Sequence, residues 1–136
     1  MRIPLLLFVS GFIGVCCTQP PSDRKELIVG SWKTDSVYTY YNGFGFTRTD
    51  MEETPLQHYQ ADGKLKMTRE DETRFFFYSL PATDSLIQQT LDRKNLGSFK
   101  ILLLDENKLI LKKIKSPLFS GKNQERFEVR YFSRIK

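Results

Sequence analysis

One histidine, three adjacent acid pairs and two neighbouring cysteines are the residues whose types could carry chemistry in this 136-residue chain. His58, in "LQHYQ", stands alone, so neither a Cys–His nor a Ser–His–Asp arrangement can be assembled around it. Glu52–Glu53, Asp71–Glu72 and Asp105–Glu106 could in principle serve acid–base catalysis. Each lies in turn-like sequence, where adjacent carboxylates are ordinarily solvated. "GFG" at 43–45 lacks the rest of a phosphate-binding loop. A bridge between Cys16 and Cys17 would be strained, because neighbouring Cα atoms lie about 3.8 Å apart, below the usual disulfide window. Neither histidine nor a further cysteine lies near enough to complete a metal site with them. The expectation is a protein with no catalytic residue, no metal and no cofactor, and therefore not an enzyme.

The cysteines end an apolar run, "MRIPLLLFVSGFIGVCC", with Arg2 as its one early charge and no charged residue from Ile3 to Cys17. That is the layout of an export signal, shorter than the about 20 apolar residues of a membrane-spanning helix. Its end resembles a bacterial lipoprotein signal, in which the cysteine after a short apolar and small box is acylated and becomes the new N-terminus. The resemblance implies residues 1–17 as the signal segment with cleavage before Cys17, which follows the small Cys16. Cys16 is the alternative, although it follows the branched Val15, and an ordinary cleaved signal would instead leave a soluble secreted or periplasmic protein. Residues 18–26, "TQPPSDRKE", read as a polar tether in which Pro20–Pro21 resists helix formation.

The 119 residues after the signal suffice for one domain with a modest core, placed at 27–136. Without Cys16 that domain has no disulfide and depends on its core. The net charge of +5 is uneven: Arg93 to Lys136 carries twelve Lys or Arg against four acids, residues 1–92 nine against twelve. Lysine on exposed strands guards their edges against pairing. Gathered on one face, the same charge would suit anionic headgroups. An exported protein rarely meets nucleic acid, so none is expected as a partner.

The elements that must position any site announce themselves by turns. Asn42–Gly43 and Asp62–Gly63 are hairpin signatures, because these residues tolerate positive φ. "DENK" at 105–108 and "SGKN" at 120–123 read as further turns. Between them run short segments rich in aromatic and β-branched residues. "SWKTDSVYTYY" alternates Trp32, Thr34, Ser36, Tyr38 and Tyr40 on one face; "GSFKILLL" alternates Phe99, Ile101 and Leu103. Residues 84–95 fit either a helix capped by Asp84 or a strand and turn. Eight or nine strands in this rhythm predict an all-β antiparallel barrel or sandwich.

"LIVGSWKTDSV" opening the first strand, "HYQADGKLKM" around an Asp–Gly turn, "SFKILLLDENKLILKK" as a hairpin and "RYFSRIK" at the end together resemble the small lipocalin-like lipoproteins of bacteria. The resemblance spans roughly 27–136 and implies an up-and-down lipocalin-like β-barrel of the cell envelope, anchored to a membrane by its N-terminal lipid. It further implies that Trp32 plugs the closed end beneath an arginine of the last strand, Arg130 or Arg134, a stacking that suits guanidinium and indole. Such a barrel would bind a small apolar ligand. Strand alternation nominates Tyr38, Tyr40, Phe44, Phe46, Phe75, Phe77 and Tyr131 as its inward lining. The alternative is a filled barrel that docks an envelope protein partner or an anionic surface.

Overall fold

The computed structural model describes residues 23–119 and 124–136. The expected signal segment with both cysteines, the first part of the expected tether and the expected turn at 120–123 lie outside the described residues. Within them a one-turn helix, α1 (Arg24–Ile28), precedes nine strands: β1 (Gly30–Tyr41), β2 (Phe44–Arg48), β3 (Leu56–Tyr59), β4 (Lys64–Arg69), β5 (Glu72–Ala82), β6 (Ser85–Gln89), β7 (Asn95–Leu104), β8 (Lys108–Ile114) and β9 (Arg126–Ile135). The stretch expected as tether therefore already contributes structure: Asp23 caps α1 by accepting from the Lys25 N–H, and Ile28 at its end is fully buried.

The turns do what their residues dictate. Asn42 and Gly43 both take positive φ, the geometry of a tight two-residue hairpin between β1 and β2. Gly63, also at positive φ, closes the β3–β4 hairpin after Gln60 accepts its N–H. Asp105 accepts the N–H groups of Asn107 and Lys108, each at 2.7 Å, and so folds the β7–β8 turn with its own carboxylate. Those two donors hold the Asp105 carboxyl below its ordinary range. Residues 84–95 resolve as β6 and a turn, not a helix.

All pairings are antiparallel, and the sheet closes because β9 pairs with β1 along Ser31–Tyr41. The other edge of β1 is shared. Gly30–Trp32 pair with β3, whereas Val37–Tyr41 pair with β2. One wall of an eight-position barrel is thus built from two short strands interrupted at 49–55, and β2 is the ninth strand. The expected all-β, antiparallel, up-and-down barrel of eight or nine strands is what the chain forms. Closure leaves few unpaired backbone edges, which is the physical advantage of a barrel over an open sheet.

Two of the four register shifts among the sheet's described residues overturn a simple alternation of inward side chains. The β1–β9 register shifts between Thr34 and Ser36, so the interior sequence along β1 runs Trp32, Thr34, then Val37 and Thr39. The simple alternation through Ser36, Tyr38 and Tyr40 is overturned from that point. A second shift, between Ile101 and Leu103, brings Leu104 rather than Leu103 into the core. The core fills one end of the barrel: Ile28, Trp32, Tyr59, Leu65, Leu86, Leu109 and Leu111 are fully or almost fully buried there, with Phe132 against them. Each buried leucine contributes about 1.5–3 kcal/mol through burial.

Candidate functional site

The closed end is built around one tryptophan and one arginine. Trp32 has no exposed surface and donates its indole N–H to the Ile28 carbonyl at 2.8 Å. The Arg134 guanidinium lies 4.3 Å from the Trp32 ring centroid. It also donates to three carbonyls: Val29 at 2.7 Å, Leu27, and Glu106 in the β7–β8 turn at 2.5 Å. Two of these acceptors belong to the end of α1, where helix carbonyls lack intrahelical partners. Gly30, at φ +132°, makes room: a Cβ there would collide with Arg134 Nη1. Of the two arginines expected beside Trp32, the structure brings Arg134 and places Arg130 farther up β9, inside the barrel.

Above the core lies a polar floor. The Tyr59 hydroxyl donates to Gln57 Oε1 at 2.8 Å and accepts from Gln88 Nε2 at 2.8 Å. All three side chains are buried, so each hydrogen bond replaces one that water can no longer supply. Tyr78 stands edge-on to Tyr59, ring centroids 4.9 Å apart, with its hydroxyl on the Gln60 carbonyl at 2.6 Å. Burial pushes the Tyr59 phenol far above its ordinary value of 10.0, partly opposed by the Gln88 hydrogen bond. Burial and then the nearby Asp62 charge raise Tyr78. A raised phenol binds its proton in the folded state after the unfolded chain has released it. Stability is therefore intact below about pH 10 and lost as pH rises toward the folded values. Denaturant midpoints followed into alkali should fall more gently in Tyr59→Phe than in the parent, from a lower starting stability at neutral pH. An equal alkaline slope in the two proteins would show that Tyr59 is not the titrating group.

The other end of the barrel is open, and its interior is a cup of about 460 Å³. Val37, Pro55, Met67, Leu96 and Phe99 give it an apolar wall, with Phe46 at the side and Gln57 and Gln88 below. Charged groups enter it too: Arg48 from β2, Lys113 from β8, and Glu128 and Arg130 from β9. Glu128 is held by Lys115 at 2.5 Å and by Arg130 Nη2 at 3.1 Å. Burial alone would push its carboxyl up, but the two cationic donors outweigh that and hold it below the usual range. Lys113 is displaced downward, first by burial and then by the like charges of Arg130 and Lys115. Both Lys113 and Arg130 flank the Phe99 ring, at 5.4 and 5.6 Å from its centroid.

Of the seven aromatic residues nominated as lining, only Phe46 reaches this cup. Phe44 lies two residues away on the same strand face but at the hairpin end, 80% exposed. Tyr38 and Tyr40 are turned outward by the bulge at Asp35, where they pack on Phe127 with centroids 6.3 and 4.7 Å away. Tyr38 also lies across Gly45, whose missing side chain gives it room. Phe75 and Phe77 face outward because β5 turns Phe76, Tyr78 and Leu80 toward the core; Arg93 covers Phe77 at 3.8 Å. Tyr131 is the exposed neighbour of the buried Phe132. What alternation alone missed was the charged lining. The signal was present in "KLILKKIK", where Leu109, Leu111 and Lys113 share a face.

The remaining chemical candidates do not converge. His58 Nδ1 is 2.8 Å from the Ser31 hydroxyl across the β1–β3 pair. Glu52 and Glu53 sit in the 49–55 interruption, Glu72 pairs with exposed Arg74, and Asp105 shapes its turn. Among the described residues no group of three His, Cys, Asp or Glu side chains is placed to hold a metal ion.

No protein-family profile matches the chain, and no curated protein matches it. Among solved structures it is similar to the bovine lipocalin allergen Bos d 2, at 9% identity over 80% of this chain and 73% of that one, with a TM-score of 0.44.

Proposed function

We propose that this chain is an exported binding protein whose barrel takes a small apolar ligand in its open cup. The observation that carries the reading is the cup itself: about 460 Å³, with an apolar patch of Val37, Phe46, Pro55, Met67, Leu96 and Phe99 among polar and charged groups, and closed below by a packed core. Ligand sites of this kind run from about 300 to 1,000 Å³ and combine an apolar wall with a few polar groups that fix orientation. Export, and anchoring to a membrane of the bacterial cell envelope through lipid on Cys17 or Cys16, rest on residues 1–17 alone. The activity proposed is binding; Glu72 pairs with Arg74, Asp105 shapes its turn, and His58 lies on a strand pair outside the cup.

Native mass spectrometry of the mature protein, gently extracted from its own membranes, tests both parts. A stoichiometric non-covalent apolar adduct is expected, with a covalent mass that places acyl chains on an N-terminal Cys17. An empty barrel would turn the search toward the second reading, a surface that docks an envelope partner. One observation favours that alternative: Phe44, Ile114, Leu118 and Phe119 are exposed at the open end, where the Asn42 N–H bonds the Glu125 carbonyl and ties the β1–β2 turn to the approach to β9.

A further inference from the structure

The cup holds more positive charge than its own acid can answer. Arg48, Lys113 and Arg130 line it, against Glu128 alone. Glu128 is already engaged twice, by Lys115 and by Arg130 Nη2. Arg130 Nε remains buried without a hydrogen-bond partner. Neither Lys113 nor Arg48 is in an ion pair among the described residues. A guanidinium N–H withdrawn from water and left without an acceptor is unfavourable, and more so in the weak dielectric of a barrel interior. The interior is one acceptor short, at a point beside the Phe99 ring that Lys113 also faces.

The geometry points to an organic anion as the ligand: one carboxylate- or sulfonate-like head between Arg130 and Lys113, and an apolar body toward the mouth. This rests on the binding reading above and names the ligand class for it. The head would accept from Arg130 Nε and the Lys113 ammonium, while Glu128 keeps its two existing donors. The body would lie along Val37, Met67, Leu96 and Phe99, which leave no charge to be satisfied there. Arg48, from β2, adds a further positive charge to the same cup. A neutral ligand of the same shape would fill the wall but leave Arg130 Nε unanswered.

A matched pair of fluorescent probes separates the two requirements. N-phenylnaphthylamine and anilinonaphthalene sulfonate share one aromatic body and differ by the anionic group. Titrated into the purified full chain, the sulfonate is expected to bind about ten- to hundred-fold more tightly, the range of a charge-assisted hydrogen bond. Arg130→Met and Lys113→Met should each weaken the sulfonate about ten-fold or more and leave the neutral probe within about two-fold. Lys100→Met, on the exposed outer face of β7, should move neither and so excludes a general effect of surface charge. Arg130 also supports Glu128, so if its variant fails to fold, Lys113→Met decides the question alone.

Equal affinities for the two probes, or a sulfonate preference that survives in Lys113→Met, would overturn the anion site. In that case the neutral probe, still bound, leaves the apolar-ligand reading standing. If neither probe binds, both readings fall together.

Discussion

Trp32→Ala is expected to lower stability by about 3–5 kcal/mol, the range for truncating a large, fully buried aromatic side chain. A domain of this size is stable by about 5–15 kcal/mol in all, so the loss is a large fraction of the total. Two mechanisms add. The indole leaves a hole in the buried core, and the Ile28 carbonyl loses its 2.8 Å donor. Arg134 loses the ring on which it rests, 4.3 Å away. Arg134→Lys tests the other half of the seal. Lysine keeps the charge but cannot reach Leu27, Val29 and Glu106 together, because only the planar fork presents donors in those directions. The double variant should lose less than the sum of the two single losses, since the residues share one contact surface. Urea unfolding followed by far-ultraviolet circular dichroism gives all three numbers. A Trp32→Ala loss below about 1 kcal/mol would mean that the closed end is not a stabilising core.

The seal and the cup differ in how far the residues themselves disclosed them. Turn chemistry was local and therefore legible: Asn42–Gly43, Asp62–Gly63 and Asp105 each carry their own geometry, and strand number follows from their spacing. Trp32 at a strand start and arginines in the last strand were visible too, but choosing Arg134 over Arg130 required the β1–β9 register, which pairs Trp32 with Arg134. Register is a tertiary property. A single extra residue at Asp35 inverts every side chain after it, and nothing in "KTDSV" marks the bulge except the small and polar residues that tolerate one. In "RFFFYSL" the failure has another cause. Consecutive aromatics satisfy either parity equally, so the choice of Phe76 and Tyr78 over Phe75 and Phe77 falls to packing against Tyr59 and the core. The interior lysine and arginine were hidden by expectation: charged residues are seldom buried, and a basic strand reads first as a solvated one.

Phe99→Ala is expected to weaken the fold by about 3 kcal/mol, the lower end of the range for buried aromatic truncations, while enlarging the cup. The reason for the low end is where the hole would open. Phe99 is buried on its core side yet lines the cup on the other, so the vacated space joins an existing cavity and can hydrate. Leu86, enclosed on all sides, has no such outlet, and Leu86→Ala should leave a dry void despite removing a smaller side chain. The Phe99 ring is also seated with little tolerance: a Cβ on Gly97 would stand 2.8 Å from it, so the glycine beneath gives the ring its place. Removing the ring frees Lys113 and Arg130 from their shared aromatic neighbour, 5.4 and 5.6 Å from its centroid. The neutral naphthylamine probe should then still bind, in a deeper cup. The sulfonate should lose part of its advantage, because the two cations are no longer held to one point. Urea midpoints with unchanged slopes, read beside titrations of both probes, separate the stability effect from the binding effect. A variant as stable as the parent would place Phe99 outside the packed core. Unchanged discrimination between the probes would show that the ring does not organise the cations.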